Sequence, residues 1–484
     1  MRVSNAVSKK IKELATENPV KLLLKYSWPA LVAMTLNSLY TVVDRAFIGH
    51  GCGVDATAAL TLSMPVVMLF TAFGVLIGVG HAAVLSIKLG EGDRVSCEKL
   101  LGQLITLKFL LFFILPPLVF CNLDTILAWS GASNVSEAAR EDAHTYLSIV
   151  LFSHIFSHLA FGLSAAIRAE GGAVRSMNCM IVGFGLNLVL DPLFIFTFKM
   201  GIAGAAWATN IAMAASCLWA FGYYWRGYTI VKLRLRRMWV YPKLLIKALG
   251  IGLAPFLQHF MSSLIAFSLQ FAFVKWMSDE SSRTAQLASL GVFQSALILV
   301  FMPMLGAQQG LQPILGYNWG ARNFGRVLKT LKTGLFVTAT LSVIAFVVQV
   351  VPPFNYYMAS LFIDSDSPEV VAIAAKDLQV SNILIWCIFL NVVATTYFQS
   401  IGRPFIAITL SMLRQGVCLL PVIWFLPYFM DNKTLAIWLS MPISDLVCNA
   451  VTLIPLLSHI RFLRLAAQRA SSIRAIGERV VRCR

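Results

Sequence analysis

Apolar segments of about 20 residues, the length an α-helix needs to cross roughly 30 Å of hydrocarbon, recur from Trp28 almost to His459. No other feature restricts the fold so strongly. In hydrocarbon, every backbone N–H and C=O must be satisfied without water, so a chain built of such segments folds as packed helices. Charged residues make up only 13% of the chain against 58% hydrophobic, where a soluble domain carries about 25% charged. The expected class is an all-α polytopic membrane protein.

Twelve spans are predicted, at 27–49, 57–80, 101–121, 143–166, 175–198, 202–225, 248–274, 286–311, 331–351, 374–399, 405–428 and 434–459. An even number returns both ends to one side. Lys and Arg decide which side, because short loops rich in positive charge stay in the cytoplasm. Of the 39 Lys and Arg, 30 lie in or beside segments on the N-terminal side, 6 lie opposite, and Arg45, Lys108 and Arg414 fall inside spans. Both termini are therefore expected to be cytoplasmic. The lysines before the first span are not followed by a short apolar core with a small-residue cleavage site, so that helix reads as retained.

The net charge of +17 reads as topology-setting. The basic residues lie in short segments between spans, without an aromatic-rich RNA motif, and no nucleic-acid partner is expected. Nine cysteines occur without CxxC spacing, several of them inside apolar runs, and imply no disulfide framework.

Sliding the chain on itself by 230 residues sets LGEGDR (89–94) over WGARNF (319–324) and Gly80 over Gly310; a shift of 231 sets Gly171 over Gly402 and Trp207 over Trp438. Six spans return the chain to its starting side, so the halves form a parallel repeat about an axis near the membrane normal. The expected architecture is two pseudo-symmetric six-helix bundles around a central cavity, as in an alternating-access transporter. Its expected parts are a cytoplasmic segment 1–26, a first lobe 27–225, a basic cytoplasmic linker 226–247, a second lobe 248–459 and a basic tail 460–484. The tail reads as a basic helix on the inner leaflet.

A carboxylate in the bilayer core costs about 2.5–3.5 kcal/mol on insertion scales, so Asp44, Asp191 and Asp445, flanked by apolar sequence on both sides, call for a reason. Asp44 follows Asn37, Tyr40 and Thr41 at spacings that put all four on one helix face. Gly183, Asn187 and Asp191 are successive i+4 positions, and Pro192 weakens the helix beside the carboxylate. We expect an ion-coupling site of Asp44, Asn187, Asp191 and Tyr40 that exchanges H⁺ or offers oxygen ligands to Na⁺. Asn37 and Thr41 would face the substrate cavity. The competing reading is structural: Asp44 paired with an arginine, and Asp191 capping a proline-broken helix.

Arg45 lies about 100° around the helix from Asp44 and has no assigned partner. In the second half, spans seven to eleven are read as free of an interrupting acid. Gln258, Gln294 and Gln309, with Gln308 and Gln312, are expected to line the cavity. Asp445 is a secondary candidate, and Lys108 and Arg414 are candidate counter-ions. His154 and His158 have the i, i+4 spacing of a metal pair but no third ligand, which favours helix packing.

Six motifs carry a resemblance: LYTVVDRAFIGHG in the first span, RAEGG before the fifth, NLVLDPLFIF within it, GIAGAAWAT opening the sixth, GAQQGLQPILGYNWGAR closing the eighth and IWLSMPISD in the twelfth. In that order, over nearly the whole chain, they resemble the multidrug and toxic-compound extrusion (MATE) family, in the form of its MepA-like branch. The resemblance implies two six-helix lobes about a central cleft. It implies efflux of amphipathic organic cations against H⁺ or Na⁺, by a monomer in a bacterial inner membrane, without a resident cofactor.

In such proteins the positions matched by Asp44, Asn187 and Asp191 form the ion-coupling site. This chain departs from the sodium-coupled branch, which has acids in the seventh and tenth spans, so coupling is expected to rest on the first lobe. A lipid-linked saccharide flippase is the alternative; its cavity would be strongly cationic, and few Lys or Arg are buried in these spans. No enzyme is expected, since HExxH, GxSxG and Walker motifs are absent.

Overall fold

The computed structural model describes residues 13, 16–129, 136–226, 229–277, 280–362 and 368–482, apart from some side chains within helices, those of Thr41 and Arg45 among them. All regular elements among the described residues are helical. In chain order they are α1 Pro19–Gly90, α2 Arg94–Phe120, α3 Leu123–Trp129, α4 Glu137–Ala169, α5 Ala173–Pro192, α6 Gly201–Trp225, α7 Pro242–Trp276, α8 Glu280–Gly320, α9 Phe324–Val350, α10 Phe354–Ser360, α11 Pro368–Ser381, α12 Phe389–Ser400, α13 Pro404–Met412, α14 Leu420–Phe429 and α15 Lys433–Arg482.

Among the described residues, nine helices are long and apolar enough to cross a membrane, and counting two bent pairs as spans gives eleven. The first predicted span, 27–49, is helical but stands outside that count. Most of the 1–26 segment, and the tail's side chains from 470 onward, lie outside the described residues.

The 72 residues of α1 cannot run straight. Ser27 packs against Gly310 and Ile87 against Gly320, both on α8. Those glycines are about 15 Å apart along α8, whereas residues 27 and 87 of a straight helix would be about 90 Å apart. The element therefore doubles back. Residue 77 lies level with residue 27, which puts the reversal near residue 52, beside Gly51, and gives α1 two arms of membrane-spanning length.

The repeat holds down to individual hydrogen bonds. Gly92 and Arg322 both take positive φ, as do Gly171 and Gly402. After α1 the N–H groups of Gly92 and Asp93 donate to Leu89 O and Lys88 O; after α8 those of Arg322 and Asn323 donate to Trp319 O and Asn318 O. The next helices are capped alike: Ser96 N–H donates to Asp93 Oδ1 at 3.0 Å and Arg326 N–H to Asn323 Oδ1 at 3.4 Å.

The lobes meet along a seam of glycines. A Cβ added at Gly90 would lie 1.9 Å from Tyr317 O, and one at Gly320 would lie 2.0 Å from Ile87 O. Gly80 and Gly252 abut the backbones of Ala248 and Leu76, while Gly306 and Gly310 abut Leu31 and Ser27. Absence of a side chain is what lets these backbones touch. The contacts also fix the register: the first arm of α1 corresponds to α7 at an offset of 221, the second arm to α8 at 230.

The largest buried cluster draws on both lobes, including Leu22, Leu85 and Leu104 of the first and Ala248, Leu315 and Tyr397 of the second, at the terminus-bearing end. Away from that end the core divides. One cluster contains only first-lobe residues such as Ile48, Phe70 and Ile195, and another only second-lobe residues such as Phe273, Phe293 and Trp438. A shared base with two separate upper cores describes a cleft that opens on the side away from the termini, flanked by a line of α1–α7 contacts in which Phe73 meets Phe256 and Ser263 meets Met68.

The linker is fastened to the first lobe. The Glu170 carboxylate, fully buried, accepts from Tyr224 Oη at 3.1 Å, Ile230 N at 2.9 Å and Val231 N at 3.2 Å. Glu98 pairs with both Arg234 and Arg237 at 3.2 Å. The eight cysteines among the described residues are free thiols.

Candidate functional site

In the first lobe the two polar stripes meet. Asp191 and Asn187 are 1% and 0% exposed, and Asn187 Nδ2 donates to Asp191 Oδ1 at 2.9 Å. The carboxyl of Asp191 is also a hydrogen-bonding neighbour of Asp44. Asn187 additionally approaches Thr209 Oγ1 of α6 at 3.5 Å. Tyr40 stacks on Phe184 at 5.3 Å between ring centroids, and its hydroxyl interacts with Thr209 near Asp44 and Tyr146. Four elements thus converge, α1, α5, α6 and, through Tyr146, α4.

Local sequence explains the shape of α5. Pro192 lacks an N–H, so the α-helical ladder is interrupted there, and the chain continues as a π-helical turn, Leu193–Thr197. Gly183 allows close packing, since a Cβ there would lie 3.2 Å from Ser216 Cβ on α6.

The geometry says something about protons. An ionised carboxylate only accepts hydrogen bonds, so a hydrogen bond between two carboxyl groups needs a proton on one of them. Two carboxyls in contact with an amide donor make a site that holds one proton, or trades it for a cation with oxygen ligands. Asn187 fits both: its NH₂ faces Asp191, and its buried Oδ1 has no hydrogen-bond partner among the described residues. A bound Na⁺ would take the carbonyl oxygen turned inward.

Asn37 lies half-buried on α1; the side chains of Thr41 and Arg45 lie outside the described residues. In the second lobe, Gln258 and Gln294 are exposed on α7 and α8. Gln309 instead sits in the seam, its Nε2 3.4 Å from Met34 Sδ of the first lobe. Asp445, on α15, accepts from Arg414 Nε at 2.7 Å. Arg414 is therefore a counter-ion, across 31 residues of sequence.

Lys108 is not a counter-ion. Fully buried, it donates to the Gly74 carbonyl at 2.6 Å and forms no ion pair with a described carboxylate. His154 stacks on Phe70 at 4.4 Å and lies 5.5 Å from His158; no group of three metal-ligating residues occurs among the described residues.

A further sequence expectation is overturned. An acid does lie in spans seven to eleven: Asp377 on α11 is 7% exposed and accepts from Ser289 Oγ at 2.7 Å. The same corner holds Trp438, whose indole N–H donates to Gln286 Oε1 at 2.9 Å. Asp377 sits three residues inside its span beside Lys376, where a charged pair reads as loop. Glu170 was also missed as a fastening point; the only sequence signal was a carboxylate followed by two glycines.

The MatE family profile matches residues 29–193 and 259–425. The multidrug export protein MepA of Staphylococcus aureus is 27% identical over 89% of this chain and 92% of its own length. The MepA of Staphylococcus haemolyticus is 24% identical over 88% and 91%. Among solved structures, the MATE multidrug transporter DinF-BH superposes with a TM-score of 0.81 at 29% identity, covering 90% of this chain and 95% of that one. An outward-facing multidrug resistance MATE family transporter superposes at 0.84 and 22% identity, covering 93% and 98%, which speaks to the fold.

Proposed function

The chain belongs to the MatE family, and on that premise we propose that it is a multidrug efflux antiporter exporting amphipathic organic cations in exchange for H⁺. Members of the family are transporters, and the relatives named above are multidrug export proteins. The observation that carries the reading is the Asp44–Asp191 carboxyl contact, backed by Asn187 on Asp191 Oδ1.

The pair sits in the first lobe beside a cleft that opens away from the termini. In that state a proton from the far side reaches the pair. A cation held in the cleft favours the ionised carboxylates, and the proton favours their neutral, hydrogen-bonded form. Transport requires that the two ligands stabilise opposite conformations; a ligand that binds both equally moves nothing. We place the termini in the cytoplasm, on the Lys and Arg bias, and the protein in the bacterial inner membrane, working as a monomer.

The test uses everted vesicles energised with either a pH or a Na⁺ gradient and a fluorescent organic cation as cargo. Wild type accumulates the dye under the pH gradient; Asp44→Asn and Asp191→Asn each lose accumulation by tenfold or more, on the order of 1.4 kcal/mol of coupling. Equal pumping by both variants would remove the site. Accumulation only under the Na⁺ gradient would assign that ion to Asp44, Asp191 and Asn187, and no dye movement under either gradient would favour a flippase.

A further inference from the structure

The second lobe carries a charged pair that proton exchange at Asp44 and Asp191 leaves unexplained. Asp445 is enclosed, its side chain 7% exposed, while that of Arg414 is 23% exposed. A guanidinium offers five N–H donors. One of them, Nε–H, bonds Asp445 Oδ1 at 2.7 Å, and the guanidinium carbon lies 5.7 Å from the Phe301 ring centroid. Neither Nη1 nor Nη2 forms a hydrogen bond within the described residues. Arg414 is thus anchored by its inner edge, with the forked end vacant.

The backbone aims it. Arg414 lies about 15 Å along the helix from Pro404, half the hydrocarbon thickness, within the π-helical stretch Leu413–Leu419. Such stretches widen a helix and re-aim its side chains. Ser444 Oγ donates to the Arg414 carbonyl at 2.7 Å, fixing that turn to α15.

The surroundings belong to the cleft rather than to lipid. Phe301, half-buried, lies along the α8 face that also carries the exposed Gln294 and Ile298, at i+7 and i+3 spacing, and a glutamine on a lipid face would be costly. Next to Arg414, Gln415 Nε2 donates to Ser262 Oγ on the exposed face of α7 at 3.1 Å, one turn from Gln258. Two further buried acceptors stand near the pair without hydrogen-bond partners, Gln415 Oε1 and, one turn beyond Asp445, Asn449 Oδ1.

We propose that Arg414 is a carboxylate-binding subsite of the cleft: its Nη1/Nη2 fork takes the anionic group of an amphipathic zwitterion while the apolar body lies on Phe301. Asp445 cancels the guanidinium charge, so recognition comes from directed donors and not from net charge. The cationic end of such a ligand remains available to the first-lobe acids. The inference extends the export reading by adding a ligand class, and it is tested by binding, so that either can fail alone.

The experiment measures Kd for purified full-length protein in detergent, with two probes: a xanthene dye bearing a free benzoate and the methyl ester of the same dye. Both carry the cation; only one carries the anion. Wild type is expected to prefer the acid over the ester by about tenfold or more, the range of a charge-assisted hydrogen bond. The double variant Arg414→Gln with Asp445→Asn, which leaves no uncompensated buried charge, loses that ratio. Arg414→Lys keeps the charge without the fork and loses most of it.

No preference in wild type, or a preference that survives the double variant, overturns the proposal. Vesicle export of the ester reads the antiporter function separately.

Discussion

The seam between the lobes makes a quantitative prediction. Gly90→Ala puts a Cβ 1.9 Å from Tyr317 O, and Gly320→Ala puts one 2.0 Å from Ile87 O. Ordinary contact is about 3.3 Å, so the second arm of α1 and α8 must part by about 1.4 Å, and a backbone carbonyl cannot rotate aside as a side chain would. Overpacking of this kind costs about 1–3 kcal/mol. The cost falls only on the conformation whose terminal end is shut, because opening that end separates the same backbones. The equilibrium should therefore move about 5- to 150-fold toward terminal-side opening.

Spin labels at Glu91 and Arg322, one on each lobe and both exposed, placed in a cysteine-free background, would read the separation by pulsed electron resonance. Each single variant should add or enlarge a long-distance population, and the two should match because their contacts are reciprocal. Gly185→Ala serves as control: nothing lies within 4 Å of its added Cβ, and the helix gains up to about 1 kcal/mol. Distance distributions indistinguishable from wild type in both seam variants would refute the reasoning.

Glu170→Ala strips the acceptor from two buried N–H groups, Ile230 and Val231, at about 1–3 kcal/mol each, so tryptic cutting within 226–237 should accelerate with the lobes intact; unchanged cutting would mean the linker is held elsewhere. Asp93 is held below the usual carboxylate range, first by the Ser96 N–H and also by Lys88. A depressed folded-state value stabilises above the unfolded pKa, about 3.9, and the contribution fades as pH falls through the folded value. Asp93→Ala should therefore lower Tm at neutral pH by the worth of a helix cap, about 1 kcal/mol, with the gap to wild type closing below about pH 4; a gap constant with pH would exclude the ionised cap.

Much of the fold was legible because lipid enforces simple rules. Span length follows from hydrocarbon thickness, and the repeat followed from glycines whose spacing survived the divergence of everything around them. The first-lobe stripes were legible too, since i+4 spacing puts Asn187 and Asp191 on one face whatever the tertiary structure. What escaped was set by partners distant in sequence. Arg414 and Asp445 could each be named, but their pairing depends on the π-helical stretch Leu413–Leu419 meeting α15. The seat of Glu170 lies 60 residues away in the linker, and Asp377 was hidden by its position at a span margin. Nor does any residue pattern announce that Gln309 belongs to the seam instead of the cavity.

The offsets that match the seam also compare the two sites. At 221, Asp44 corresponds to Ile265; at 231, Asp191 corresponds to Val422, Arg414 to Gly183 and Asp445 to Ala214. Wherever one copy carries charge, the other carries a hydrocarbon or nothing. Duplication left the hinge under joint custody, since Gly90 and Gly320 each press on the other's helix and neither can drift alone. The interior walls face no such veto, and the copies diverged there, one carrying two neighbouring carboxyls and the other an arginine–aspartate ion pair.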